Sequence, residues 1–249
     1  MRIFLLALAA LVVAPAALAV GPWLGTATTG EGYLLSAGDG VTRIGTLSLA
    51  GDWGLPRVTM DGDVGGLARD GRTLVLSQDY TGSGQLQRTT RFAVLATRPL
   101  RLRRIVTLRG DFGFDALSPN GRTLYLIQHV SQRDLFRYRV RAYDLATWRL
   151  LPRVIADRRQ RGWLMDGFPV SRATSSDGRW VYTLYYQSDN YPFVHALDTV
   201  RRTAVCIGLP WDWTKQQAIM NARLRVEGSA LAIGGRFLLD RRTFRVRGG

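Results

Sequence analysis

Few residues of this 249-residue chain combine the types and spacing that catalysis requires. The chain has only two histidines, His129 and His195, so a three-histidine zinc site is impossible. Neither histidine lies at metal-ligand spacing from another strong ligand. No Gly-x-Ser-x-Gly elbow accompanies Ser131 and His129, which leaves a Ser-His-Asp triad unsupported. The sequence therefore predicts no metal site, no cofactor and no catalytic set of these kinds.

Carboxylates and tryptophans are concentrated in the segments between apolar stretches, and they are the candidate ligand-binding residues. Carboxylates accept hydrogen bonds from hydroxyl groups, while indole faces stack on sugar rings or hold cations. The candidates are the aspartates and tryptophans Asp63, Asp111, Asp115, Trp163, Asp166, Trp211, Asp212 and Trp213, together with Arg172. Each has a structural alternative, because Asp forms turns through its own side chain and Trp fills space between packed elements.

A repeat supplies the elements that must position these residues. Similar phrases, in which an Asp-Gly or Asn-Gly pair separates two apolar stretches, are centred on Gly71, Gly121 and Gly178, and a weaker copy is centred on Gly228. Such a pair is a strong hairpin signal, because Gly and Asn accept the positive φ of tight turns. A second apolar hairpin follows each copy, so the repeating unit contains four antiparallel strands.

The phrase Ser-Pro-Asn-Gly-Arg-Thr-Leu-Tyr at 118–125 is followed by a strand that ends in Tyr-Asp-Leu-Ala-Thr. This combination resembles the YVTN, WD-repeat-like and TolB-type propellers of secreted bacterial proteins. The resemblance covers most of the chain after about residue 60 and implies an all-β propeller of four-stranded antiparallel blades. It implies little about activity, since such propellers include binding platforms, lactonases and periplasmic scaffolds.

We expect about five blades, one of them incomplete, in a single domain of residues 20–249. Four copies of the unit occupy the chain after about residue 60, and residues 33–49 are interpreted as the outer hairpin of a further blade. Aligned on the turn glycine, Asp115 and Arg172 both lie six residues before it, on the innermost strand beside the central channel. The first copy has Gly65 at this position.

The first 19 residues have the pattern of a secretory signal. Arg2 precedes an apolar stretch over 3–13, and Ala17-Leu18-Ala19 matches the small-x-small cleavage pattern. The segment is either cleaved or kept as an N-terminal anchor, and no other stretch is apolar enough to span a bilayer. We therefore expect a secreted or envelope-associated protein without a transmembrane segment after cleavage.

Basic residues exceed acidic ones, with 34 Lys and Arg against 19 Asp and Glu and a net charge of +15. All but Lys215 are arginines, and they concentrate in the predicted outer hairpins. An exported protein seldom meets nucleic acid, so we expect anionic polymers, glycans or lipid headgroups as charged partners; coding bias is an equal explanation. The single cysteine, Cys206, can form no internal disulfide and is predicted to be a buried, inert thiol.

These observations favour a monomeric, non-enzymatic propeller that binds an envelope or extracellular partner through its blade-top loops. The partner would be a protein, a glycan or an anionic polymer. The alternative is a propeller hydrolase or lyase that uses the channel carboxylates, Asp115 with Asp63 or Asp166.

Overall fold

The computed structural model describes residues 23–24, 32–37, 40–47, 49, 53–78, 86–131, 136–157, 164–188 and 190–248. The protein is an all-β propeller with four four-stranded antiparallel sheets and an additional three-stranded sheet. One short helix, α1 (Gln216–Met220), interrupts the described strands. Within these ranges, no helix is long and apolar enough to cross a membrane. The predicted signal of residues 1–19 lies outside the described residues.

Strand order follows chain order within every sheet, so each blade is built from consecutive antiparallel hairpins. The three-stranded sheet contains β1 (Trp23–Leu24), β2 (Gly32–Ala37) and β3 (Gly40–Thr46). Blade 1 contains β4 (Trp53–Gly54), β5 (Thr73–Gln78), β6 (Thr89–Thr97) and β7 (Leu100–Arg109). Blade 2 contains β8 (Phe112–Leu117), β9 (Thr123–His129), β10 (Tyr138–Asp144) and β11 (Arg149–Ile155).

The last two blades have the same arrangement. Blade 3 contains β12 (Phe168–Thr174), β13 (Trp180–Tyr186), β14 (Phe193–Asp198) and β15 (Thr203–Gly208). Blade 4 contains β16 (Leu224–Glu227), β17 (Ala230–Ile233), β18 (Phe237–Asp240) and β19 (Val246–Gly248). The expected propeller with about five blades, one of them incomplete, is confirmed.

The turn glycines have the conformation that the repeat predicts. Their φ angles are 66°, 62°, 71° and 54° at Gly71, Gly121, Gly178 and Gly228, so the degenerate fourth copy forms the same turn as the others. In every blade, a backbone N–H at the outer turn also donates to a carbonyl just after the inner turn glycine. Leu145 N–H donates to Arg122 C=O in blade 2 at 2.8 Å, and the other blades repeat this bond at 2.8–3.1 Å.

Apolar clusters join each blade to the next. One cluster joins blades 1 and 2 around Phe92 and Phe114, a second joins blades 2 and 3 around Tyr125 and Tyr185, and a third joins blades 3 and 4. Leu49, which follows the three-stranded sheet, packs in a fourth cluster with strands of blade 1. Because every sheet is covered by its neighbour, the core is a series of interfaces rather than one central core.

The innermost strand of blade 1 departs from the prediction. We expected Asp61 and Asp63 in a connection between blades, but the chain forms β4 first and then leaves the sheet as a small hairpin. Arg57 bridges Val64 in this hairpin, and the chain returns to the sheet where Leu67 bridges Leu74. We call residues 57–64 the channel hairpin. It interrupts the innermost strand, and such an excursion breaks the repeat used for the alignment.

Two turn glycines provide a matched test of how closely the blades pack. A Cβ on Gly121 would overlap with Oγ1 and Cβ of Thr73 in blade 1, whereas a Cβ on Gly71 would meet nothing within 4 Å. Both have positive φ, so Gly71→Ala should cost about 1 kcal/mol of unfolding free energy through backbone strain alone. Gly121→Ala should cost about 1–3 kcal/mol more through overpacking. Urea denaturation checks this, and equal losses would contradict close packing at the turn.

Candidate functional site

The candidate site is the centre of the propeller, where the innermost strands meet. The positions six residues before the turn glycines are Gly65, Asp115, Arg172 and Ala222 in blades 1 to 4. Nη2 of Arg172 lies 2.5 Å from Oδ1 of Asp115, and Nη1 donates to the Asp115 carbonyl oxygen. The Arg172 and Asp115 side chains are only 7% and 4% exposed. Asp115 and Arg172, the two charged residues at this aligned position, thus form one buried ion pair between adjacent blades.

This pair limits what Asp115 can do chemically. A buried carboxylate held by a guanidinium is already engaged as a hydrogen-bond acceptor, so its oxygens are poorly placed to reach a substrate. Breaking such a pair leaves one uncompensated buried charge, which is strongly unfavourable. The structure therefore gives Asp115 and Arg172 a structural role at the centre of the fold.

The channel hairpin reaches across the centre to the far blades. Met60 N–H donates to the Pro169 carbonyl in blade 3 at 2.9 Å, and Asp61 lies 3.6 Å from Arg223, just before blade 4. Asp63 is near the same region and keeps contact with solvent. Partial desolvation raises the pKa of Asp63, and the charge of Asp61 adds to this shift, while Arg172 opposes it. The hairpin thus links blade 1 directly to blade 3 and to the segment before blade 4.

A second polar pair lies where blade 2 begins. Nδ1 of His129 is 2.6 Å from Oδ1 of Asp111, and the Gln87 N–H donates to the other carboxylate oxygen at 2.7 Å. Although desolvation alone would raise it, the hydrogen bonds from His129 and Gln87 hold the pKa of the Asp111 carboxyl below its ordinary value. A carboxylate that orients an imidazole is one part of a catalytic triad. The described geometry supplies this part and no nucleophile with it.

The aromatic candidates do not form the expected surface. Trp211 is 3% exposed and packs against Phe237, so it belongs to the core between blades 3 and 4. The prediction that Trp211 binds a ligand was wrong. The loop that carries Trp211 folds back onto the blades, and Trp211 packs in the same buried cluster as Ile219 of α1. Trp213 is 40% exposed and remains accessible. Trp163 lies outside the described residues.

The remaining candidates occupy the connections that lead from one blade to the next. Asp166 is half-buried and precedes β12, the innermost strand of blade 3. Asp212 is exposed, and its carboxylate accepts the Thr214 N–H at 2.9 Å, which is an ordinary turn. The hydrogen bonds from Thr214 lower the pKa of Asp212. The structure places these two residues in separate connections, and among the candidates it joins Asp115 and Arg172 in an ion pair with Asp63 in the range of the Arg172 charge.

Sequence reasoning missed a cluster at the interface of blades 2 and 3. His195 is 2% exposed, and burial lowers its pKa, so that its ring is neutral at neutral pH. Its Nδ1 lies 3.6 Å from Sγ of Cys206, which is itself 3.9 Å from Sδ of Met165. Cys206 is half-buried, against the expectation of a buried thiol, and lines a cavity of about 240 Å³. The sequence did contain a signal for this cluster: the predicted hairpin of β14 and β15 sets a strand register in which His195 pairs with Cys206.

Exposed apolar side chains are concentrated at one end of the blades. We define the top face as the end at which each outer strand leads into the innermost strand of the next blade. In the described part of the chain, seven large apolar residues are exposed, and five of them lie on the top face. These five are Met60, Val130, Phe136, Tyr191 and Trp213. They lie in blades 1, 2 and 3 and in the connection between blades 3 and 4.

Comparisons with known proteins give only weak structural likenesses. No family model matches the sequence, and no curated protein matches it. Puromycin hydrolase is 16% identical with a TM-score of 0.45, covering 87% of this chain and 32% of its own. TolB from Acinetobacter baumannii is 11% identical with a TM-score of 0.42, covering 91% and 52%. A putative TolB from Agrobacterium tumefaciens is 14% identical with a TM-score of 0.41, covering 90% and 79%.

The chain spans about a third of puromycin hydrolase and about half of the Acinetobacter TolB. Likeness at this level leaves activity and partners to be argued from the residues.

The buried pair predicts a large difference between two similar substitutions. Arg172→Met leaves Asp115 buried without its partner, so we expect a loss of about 3–5 kcal/mol in unfolding free energy. Arg223→Met removes the half-exposed partner of Asp61 and should cost less than about 1 kcal/mol. The double variant Asp115→Leu/Arg172→Met should recover most of the loss, since it leaves no unpaired charge. Chemical denaturation measures all three, and a double variant as unstable as Arg172→Met would contradict the explanation.

The Asp111–His129 pair predicts a pH dependence. Because the folded-state pKa of Asp111 is lowered, the stability it contributes is present above its ordinary value of 3.8 and is lost as the pH falls through the folded-state pKa. Asp111→Asn should therefore lower the unfolding free energy at pH 7 by on the order of 1 kcal/mol. The difference from the wild type should shrink below about pH 4. Thermal melts between pH 2.5 and 7 test this, with the exposed Glu227→Gln as control; a gap that stays constant with pH would rule it out.

Proposed function

We propose that the protein is an extracytoplasmic, non-enzymatic propeller whose top face binds another protein. The observation that carries this proposal is the uneven distribution of exposed apolar side chains, five of seven at the top end of the described structure. Single exposed apolar residues are common on any protein, but their concentration on one face marks an interaction surface. Protein interfaces are enriched in Tyr, Trp, Phe and Met, and four of the five are of these types.

The distribution of these residues favours a macromolecule over a small ligand. Met60 lies on the channel hairpin of blade 1, Phe136 in the loop between β9 and β10, Tyr191 between β13 and β14, and Trp213 beyond β15. These positions belong to three different blades and to the connection that follows blade 3, and a protein surface can span several blades at once. A glycan platform is less well supported, because Trp211 is buried and Trp213 stands without it.

The channel argues against the alternative of a hydrolase or lyase. Of the channel carboxylates proposed for such chemistry, Asp115 is held by Arg172 in a buried ion pair, and the channel hairpin crosses the entrance. Catalysis at this point would require the pair to open and the hairpin to move. Hydrolysis of an ester, lactone or glycoside by the purified protein, lost in Asp63→Asn or Asp166→Asn, would overturn the non-enzymatic assignment.

The extracytoplasmic location is part of the same proposal. It is supported by the basic start, apolar stretch and small-x-small pattern of residues 1–19. Mass spectrometry of the protein isolated from the organism that encodes it would give the first residue of the mature chain. A mature protein that begins at Met1 in the cytoplasm would contradict the location without bearing on the top-face surface.

The top face predicts which substitutions abolish partner binding. The mature chain would be used to capture envelope proteins, and a captured protein would be produced separately for direct affinity measurement. The variant Met60→Ser/Tyr191→Ser/Trp213→Ser should bind at least about tenfold more weakly, because buried apolar contacts carry most interface energy.

The control variant is Val200→Ser/Leu238→Ser, which removes two exposed apolar side chains outside the top face and should bind like the wild type. Equal affinity of the top-face variant and the wild type would refute the proposal. A different result would identify a polymer-binding protein instead. In that case no protein partner is captured, the chain is retained on an anionic polymer, and this retention weakens with salt but is unaffected by the top-face substitutions.

A further inference from the structure

Three donor atoms of soft or intermediate character lie close together between blades 2 and 3. Sγ of Cys206 is 3.6 Å from Nδ1 of His195 and 3.9 Å from Sδ of Met165. His195 and Cys206 face each other on the adjacent strands β14 and β15. Met165 comes from the connection that leads into blade 3, where it bridges Tyr138 of blade 2. Three segments of the chain therefore direct a thiol, an imidazole and a thioether to one point.

The two distances fit a three-coordinate metal ion. Metal–sulfur bonds of about 2.3 Å and metal–nitrogen bonds of about 2.0 Å at trigonal angles place a thiolate sulfur about 3.7 Å from a nitrogen and about 4.0 Å from a second sulfur. The observed separations are 3.6 Å and 3.9 Å. An ion bound to the Cys206 sulfur could thus reach either neighbouring ligand atom with little movement of the side chains.

We propose that Cys206, His195 and Met165 form a binding site for Cu(I). Thiolate and thioether ligands select Cu(I), whereas protein zinc sites use thiolate, imidazole and carboxylate. No group of three His, Cys, Asp or Glu side chains that could hold a metal occurs among the described residues, so the thioether is what completes this set. The sequence predicted no metal site because a methionine 41 residues from the cysteine is not a recognisable ligand spacing.

The charge balance also favours a monovalent ion. On binding, the Cys206 thiol releases its proton to solvent, and the sulfur donates an electron pair to Cu⁺ without any change of oxidation state. Thiolate and Cu⁺ together are neutral, whereas thiolate and Zn²⁺ would leave one positive charge. The site is largely buried, with His195 only 2% exposed, and burying a net charge is costly.

The surroundings provide an entry path and a support for the ligands. Cys206 and Met165 line the inter-blade cavity of about 240 Å³, together with Tyr191 and Phe193. Oδ2 of Asp157 accepts the Cys206 N–H at 2.8 Å and fixes the backbone beneath the sulfur. Nε2 of His195 is buried without a hydrogen-bond partner in the described structure. With the proton on Nε2, the Nδ1 lone pair faces the Cys206 sulfur at 3.6 Å and is available to the ion.

The test is Cu(I) binding by the purified chain under reducing, oxygen-free conditions, in competition with a chromogenic Cu(I) chelator. The wild type should bind one Cu(I) per chain and should prefer it to Zn²⁺ by at least about 1000-fold. Ag(I), which has the same ligand preference and no accessible redox change, should raise the melting temperature of the wild type. Cys206→Ser should bind Cu(I) at least about 100-fold more weakly, and Met165→Leu about tenfold more weakly.

Two controls show whether Cu(I) binds at this site and whether each variant is folded. Met220→Leu is the matched control for Met165→Leu, since Met220 is a partly buried methionine of α1 outside this cluster, and it should bind Cu(I) like the wild type. Circular dichroism of the copper-free variants confirms that each is folded. The proposal is overturned if Met165→Leu binds as tightly as the wild type, or if Cys206→Ser retains its affinity. Binding of Zn²⁺ in preference to Cu(I) would overturn it as well.

Discussion

Two opposite charges near the axis, Asp115 and Arg172, determine what the centre of this propeller can do. They occupy equivalent positions on adjacent innermost strands and are buried together. A buried charge is tolerated only when it is paired, so each residue depends on the other, and neither can be used freely by a ligand. In blade 1 the equivalent residue is Gly65, where a Cβ would overlap with the ring of Phe114. At this position an ion pair thus joins blades 2 and 3, and an aromatic ring of blade 2 packs against the glycine of blade 1.

Away from this ion pair, accessible side chains lie at the top face and between blades. Each blade packs against the next, and several polar groups pair across these interfaces. The Tyr125 hydroxyl of blade 2 donates to the Thr199 carbonyl of blade 3 at 2.6 Å, and Nε of Arg241 in blade 4 donates to the Tyr182 hydroxyl at 3.2 Å. The cluster of His195, Cys206 and Met165 lies at the same kind of boundary, with sulfur atoms in place of hydroxyl groups.

The parts of the structure that follow the repeat were predictable, and the departures from it were not. The turn at Gly228 was found by spacing alone, and the alignment placed Asp115 and Arg172 on innermost strands. The channel hairpin was missed because a single bridge, Arg57 to Val64, holds it and its sequence has no strand pattern. Burial of Trp211 depends on the packing of α1, which local sequence does not encode. The pairing of His195 with Cys206 could have been obtained by counting outward from the turn between Asp198 and Thr203.

Aspartates and arginines have different roles in the outer turns at the end opposite the top face. There, Asp144 and Asp240 each accept two backbone N–H groups of an outer turn, so these carboxylates are engaged in fixing the backbone. The neighbouring arginines of these turns, including Arg98, Arg202 and Arg242, extend into solvent. Charged outer strands and turns discourage edge-to-edge association of sheets. The two ends of the propeller therefore present different chemistry, and a protein bound through apolar contacts at the top leaves the basic end accessible.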